Sequence, residues 1–315
     1  MSLAIWAVAP LAACDTPGGG RSSVATDAAA TTPTTTTRDA STSSGDANGD
    51  GLAVCARWKA DRADLDEGSW TGSTQSCDAG ALLEPGHGHA LAQVNLYRFL
   101  AGLPPVAEDA TKSEAAQACA LLMHANNDIQ HVVPTSWHCF DQIGASAAGL
   151  SNLATTPAVS SIDLYITDED IPTLGHRRWV LSNSLGPIGI GSTSRFSCLH
   201  VIGGDGRANA RWTAWPPPGD VPYEALEHGR GESTDAAGWS VQSDAIDLRG
   251  ANVTVTRDGT ELDVQVRELA SGYGSTFGLG IDPVGWQTEP GATYHVAVRG
   301  LSEDLDWDVH VVSCQ

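Results

Sequence analysis

Apolar positions recur with a helical period in stretches between His89 and Leu181 and with a strand period in the last third. From His89 to Leu100, Leu91, Val94 and Leu96 fall toward one side, and Gly102-Leu103-Pro104-Pro105 closes the run, which predicts a helix. Thr111-Lys112-Ser113-Glu114 predicts a capping box, in which the Thr111 hydroxyl caps an N–H and Glu114 reaches back. It opens a second, Ala- and Leu-rich helix reaching about Ile129, with His131 just beyond its end. The Ala- and Gly-rich stretch from Gly144 to Leu153 predicts a turn and a short strand, and Ser161 to Ile166 is a short amphipathic piece.

An acidic turn, Asp168-Glu169-Asp170-Ile171-Pro172, then leads into Leu174-Gly175-His176-Arg177-Arg178-Trp179-Val180-Leu181. Pro172 and Gly175 punctuate the start of a short helix there. His176 sits near that start, where free N–H groups and the dipole disfavour imidazolium, so a neutral ring is expected. The same dipole suits Arg177 and Arg178 poorly, so Asp168, Glu169 or Asp170 is expected to compensate them. Ile188 to Ser192 and Phe196 to Ile202 read as a strand pair.

After the stiff crossing Trp212-Thr213-Ala214-Trp215-Pro216-Pro217-Pro218 the period becomes two. Asn252 to Thr256 and Glu261 to Val266 flank Asp258-Gly259 as a hairpin, and Thr293 to Val298 and Trp307 to Val312 alternate likewise. Short strands between Gly and Pro turns predict an Ig-like β-sandwich, with Trp239 filling its core. Trp212, Trp215 and Trp286 read as core rings rather than a sugar-stacking patch.

Composition changes the picture at both ends. The 315 residues are 41% hydrophobic, enough for a real core. Acidic residues number 38 against 17 basic, a net charge of −21, which argues against nucleic acid and against adsorption to anionic membranes. Residues 3–13 are apolar and end in Leu11-Ala12-Ala13-Cys14, similar to the lipobox of bacterial lipoproteins, in which that cysteine is lipidated. This makes 1–14 a signal ending at Cys14, the only expected membrane attachment. Residues 15–50 are mostly Gly, Ser, Thr, Ala, Asp and Pro, a tether that cannot bury a core. Its end, Asp46 to Gly51, imitates the start of a calcium loop, but the twelfth position is Arg57 where a carboxylate is needed. Besides Cys14 there are six cysteines, Cys55, Cys77, Cys119, Cys139, Cys198 and Cys314, which suggests three disulfides and export. Fifteen connectivities are open. Nearest-neighbour pairing is the expectation: Cys55–Cys77 stapling a leading segment at 51–84, Cys119–Cys139, and Cys198–Cys314. No Cys-x-x-Cys spacing points to thiolate-bound metal.

The segment Leu91-Ala92-Gln93-Val94-Asn95-Leu96-Tyr97-Arg98 with Ala101-Gly102-Leu103-Pro104-Pro105 resembles the first helix of bacterial CAP-superfamily (SCP or PR-1-like) domains. The Ala-rich helix closing on His131, the Leu174-Gly175-His176-Arg177-Arg178 segment and Ile188-Gly189-Ile190-Gly191 resemble later parts of the same family, in order. The resemblance implies an α+β chain: a CAP-type α-β-α sandwich at 85–204, followed by the β-sandwich at 205–315. It also implies a cleft with two histidines and two glutamates that takes a divalent metal such as zinc. His131 and His176 carry over. The glutamates do not: the Gly-Glu-Asn-Ile-type strand is matched by Gly149-Leu150-Ser151-Asn152-Leu153, and the second acid falls to Asp163, then Asp168.

Other histidines read more plainly. His124 is a packing or surface group, His138 neighbours Cys139 near the cleft, and His87-Gly88-His89 chelates only if extended. No Gly-x-Ser-x-Gly, His-Glu-x-x-His or P-loop is present, and Ser151 is the serine a Ser–His pair would use. Three functions follow: an exported, lipid-anchored or secreted protein that binds a lipid, cell-wall or protein ligand at the cell surface; a hydrolase working through His131 and His176, with or without zinc; or an envelope spacer with a vestigial cleft.

Overall fold

A computed structural model describes residues 47–228 and 232–315. Cys14, the signal and most of the tether lie outside the described residues. The first described helix, α1 (Ala47–Asp61), takes in Asn48-Gly49-Asp50-Gly51. A calcium loop has an open, turning backbone, so the helical backbone here departs from that resemblance.

Two long helices follow, α2 (Gly86–Leu100) and α3 (Ala110–Asn126). Ala90, Val94 and Tyr97, at i, i+4 and i+7, are all fully buried, so one stripe of α2 faces the core. The start of α3 differs from expectation. Asp109, not Thr111, is the cap: it is extended, its side chain accepts from Lys112 N, and its own N–H is fixed on Ile188 O. That strand contact starts the helix two residues before Lys112, so no Thr111–Glu114 box forms. The stretch read as a turn begins instead with a helix, α4 (Gln142–Ala148), capped by Asp141. Then come β1 (Ser151–Ala154), α5 (Ala158–Thr167), α6 (Gly175–Val180), β2 (Gly189–Ser192) and β3 (Ser197–His200). The three strands form an antiparallel sheet in the order β1-β3-β2. The expected pair β2–β3 is present. Its glycines are steric: a Cβ at Gly189 or Gly191 would lie 2.3 Å or 2.1 Å from the backbone of α3 at Lys112 or Ala116. Strand and helix therefore touch backbone to backbone, which only glycine permits.

The last hundred residues make two sheets. One contains β4 (Thr213–Trp215), β6 (Trp239–Ser243), β9 (Val264–Glu268) and β10 (Phe277–Pro283), in the order β4-β6-β10-β9. The other contains β5 (Gly219–Pro222), β7 (Asn252–Arg257), β8 (Thr260–Leu262), β11 (Thr293–Arg299) and β12 (Leu305–Val312), in the order β5-β12-β11-β7-β8. A one-turn helix, α7 (Thr234–Ala237), precedes β6. The Asp258-Gly259 turn forms, with Arg257 opposite Thr260, but the arm read as Glu261 to Val266 is split: it leaves β7 after Leu262, and from Val264 the chain joins β10 in the other sheet. Trp215 and Trp239 are buried, Trp212 packs on Trp307, and Trp286 stacks on Tyr294. The chain is thus α+β, a helical and three-stranded part followed by a β-sandwich region. One apolar cluster runs through both, joined where Tyr97 meets Trp215 at 5.5 Å.

All six cysteines are paired, but not with their neighbours. The bonds are Cys55–Cys314, Cys77–Cys139 and Cys119–Cys198. Cys119 lies on α3 and Cys198 on β3, and the sheet packs on that helix, so the bond follows the tertiary contact rather than the sequence interval. Cys55 meets Cys314 because the end of the chain, past β12, returns to α1.

Candidate functional site

The turn from α5 to α6 does the positioning. Asp168 (φ 56°), Asp170 (φ 62°) and Leu174 (φ 47°) are all left-handed. Leu174 has no side-chain polarity to favour that conformation, and it is held there fully buried. Gly175 follows because a Cβ would come within 2.7 Å of the Tyr273 ring. The outcome is that His176, in the first turn of α6, faces Asp168 at the end of α5.

His176 Nδ1 lies 2.7 Å from Asp168 Oδ1, and the Asp168 side chain is wholly buried. The carboxylate also accepts from Arg177 N at 3.2 Å. An imidazole donating Nδ1–H to a carboxylate keeps its lone pair on Nε2. The Tyr165 ring packs on His176 at 5.3 Å, the Tyr165 hydroxyl donates to Asn152 O, and Asn152 Nδ2 donates to His176 O. β1, α5 and α6 are thereby tied into one polar loop around the imidazole.

His131 is built the same way. Its Nδ1 is 2.8 Å from Ala148 O, and a carbonyl only accepts, so Nδ1 carries the proton and Nε2 the lone pair. Burial is the largest influence on the ring and lowers its pKa; the Ala148 carbonyl opposes this, and the nearby charge of His176 adds to it. The two histidines read from the sequence are thus within electrostatic reach of each other, each with Nδ1 occupied.

The acids differ from expectation. Asp163 is not in this cleft. Both its oxygens are held by Arg62 at 2.8 Å, and Tyr97 donates to it at 2.6 Å. Burial pushes its pKa up, but the Arg62 hydrogen bonds, with His228 and Tyr97, bring it below the usual carboxylate value. Asp168 is the acid at the site, and it stands behind His176 rather than beside both rings. Its charge favours both arginine cations, as expected, but each guanidinium takes its hydrogen bonds elsewhere. The Arg177 guanidinium bonds Ile166 O, Thr167 O and Gly238 O, and that of Arg178 bonds Ala270 O and Ser275. Both cations run sideways into the neighbouring elements, away from the dipole of α6. Burial lowers each to about 10, so both stay charged at neutral pH. Only the tertiary fold reveals the two arginines as clamps between elements.

Ser151 is buried and donates its hydroxyl to Ala147 O, so it does not engage either histidine. His124 packs between Trp70 and Phe196. His87 pairs with Glu108 at 2.8 Å while His89 Nδ1 bonds Asp66 O, so the two do not converge. Among the described residues, the one group of three clustered metal-type donors is Cys77, His138 and Cys139, and two of these three are the sulfurs of a disulfide. Among the described residues no third such donor lies within ligand reach of both His131 and His176 together, and Asp168 is taken up by His176 Nδ1. A catalytic zinc site needs three protein ligands and a structural one four. The residues present do not fit a bound zinc ion here.

Residues 91–197 match the family model described as CAP: Cysteine-rich secretory protein family, and this stretch is a CAP-superfamily domain. No curated protein and no solved structure matches the chain.

Proposed function

We propose that the CAP domain at residues 91–197 acts by binding a ligand outside the cell, at the surface formed by His131 and His176. The observation that carries this is the shared set of both rings. Each Nδ1 is held by a fixed acceptor, Ala148 O or Asp168, which leaves Nε2 as an oriented acceptor for a ligand hydroxyl or amide. A binding site needs that preorganisation and no more. Three disulfides and the CAP family favour an extracellular or secreted protein, and no described helix is long and apolar enough to cross a membrane. The Leu11-Ala12-Ala13-Cys14 sequence favours attachment through a lipid on Cys14. The ligand classes in question are lipids, cell-wall fragments and protein partners. Calorimetry of the disulfide-intact chain against cell-wall fragments and dispersed lipid, beside His131→Ala and His176→Ala, tests the reading. Binding that both variants weaken is expected; binding indifferent to both would sink it.

A second reading rests on the Asp168–His176 pair, the arrangement by which a carboxylate orients a general base. A hydrolase of this kind would activate water at His176 Nε2. Release of fragments from peptide or cell-wall substrates, lost in His176→Ala, is the result it requires.

A further inference from the structure

On the side of α5 that faces α2, away from the Tyr165–His176 contact, lies a cleft of about 500 Å³. Its lining includes Arg62, Glu67, Thr156, Asp163, His228 and Glu232, with Leu65, Pro157 and Val159 as apolar wall. None of these residues belongs to the His131–His176 site.

Three observations define its chemistry. First, its cation is already spent. Arg62 Nη1 and Nη2 grip both oxygens of Asp163, Nη1 also donates to Gln93 Oε1, and the guanidinium lies 4.5 Å over the Trp58 ring. Second, the remaining polar groups are acceptors. Glu67 receives only the N–H groups of Val159 and Ser160, one on each oxygen. The Glu232 carboxylate has no hydrogen-bond donor among the described residues. Among the described residues the lining therefore carries three carboxylates against one guanidinium. Third, the His228 side chain is only 5% exposed, and its Nε2 has no partner among the described residues. Burial lowers the His228 pKa, against the pull of Asp163 and with that of Arg62, so the ring is neutral. Its Nδ1 lies 4.0 Å from Asp163 Oδ2, the side on which a proton is favoured, which leaves Nε2 as acceptor. Thr156 Oγ1 is a second shielded polar atom without a partner among the described residues. An unpaired buried acceptor is unfavourable unless a donor reaches it.

We infer that this cleft is a second binding site, for an organic ammonium ion with a short apolar body. The ammonium donates to His228 Nε2 and the Glu232 carboxylate, and its carbon chain lies on Leu65, Pro157 and Val159. Anions are repelled by the uncompensated carboxylates, and the net charge of −21 draws cations to the molecule.

Hexane-1,6-diamine and hexane-1,6-diol, equal in length and differing in charge, provide the test. Each is titrated by calorimetry into the full chain with its disulfides intact. Expected is saturable binding of the diamine, none of the diol at the same concentrations, and roughly tenfold weaker diamine binding in Glu232→Gln. His228→Ala, checked for native melting, is expected to weaken it as well and guards against a misleading result from either variant alone. Equal binding of diol and diamine would overturn the ammonium assignment. No diamine binding, or binding that neither substitution weakens, would overturn the site.

Discussion

His176 is held by one buried carboxylate, so losing Asp168 also unpins the ring. Asp168→Ala strands His176 Nδ1 and Arg177 N in a shielded place, a cost of about 2–3 kcal/mol. Asp168→Asn keeps an acceptor and is expected to lose less; urea unfolding of the two variants checks the order. Acid exposes a second residue-scale effect. His131, His124, His200 and His228 all have pKa values lowered chiefly by burial. Below about pH 6.5 the unfolded chain binds protons that these native rings refuse. The stability they contribute is therefore complete above that pH and lost as it falls toward the native values. The thermal midpoint is expected to be lower near pH 5 than near pH 7.5, and equal midpoints would refute the assignment. At this scale the histidines were legible in the sequence, because the Gly-His-Arg-Arg segment and the end of the Ala-rich helix are local signals. Asp168 as the partner of His176, and Asp163 as the partner of Arg62, were not. Which carboxylate meets which cation depends on a left-handed turn at 168–174 and on Arg62, just past the end of α1 and 101 residues before Asp163.

Elements were more legible than their joints. Period-two alternation located β7, β8, β11 and β12, and helical spacing located α2 and α3, because each pattern is written within one element. The helix α4 was missed, since Gly144 and three alanines carry no stripe. Gly144 is there for clearance: a Cβ would lie 2.8 Å from the α3 backbone. The seam between the helical part and the sheets was also hidden, because its chief fasteners are arginines whose partners are backbone carbonyls far along the chain. Arg177 on α6 reaches Gly238 just before β6, while Arg178 spans to the segment before β10. Arg177→Met would leave three carbonyls without their donor and is expected to cost about 3–5 kcal/mol. A change of less than about 1 kcal/mol in chemical unfolding would show that water replaces the guanidinium.

At the scale of the molecule, the cysteine pairing matters more than any one contact. Nearest-neighbour bonds would have closed three separate loops, none overlapping another. The observed bonds instead close intervals of 259, 62 and 79 residues, the latter two overlapping. In the chain-entropy account, the loop between Cys55 and Cys314 alone restricts the unfolded chain by on the order of 5 kcal/mol. Replacing both cysteines by alanine is expected to lower the thermal midpoint markedly, more than the same change at Cys77 and Cys139; the reverse order would contradict this. Sequence spacing gave no hint of this clasp, since nothing local records that the end of the chain returns to α1.

The clasp from Cys55 to Cys314 also makes the intervening chain a covalent ring. A protease that cuts once anywhere between those residues opens the ring without freeing a piece, because the two halves remain joined through the sulfurs. Nicked protein would migrate as a single band on a non-reducing gel and separate only once a thiol is added. Outside a cell, where peptidases are met before reductants, damage of this kind is survivable.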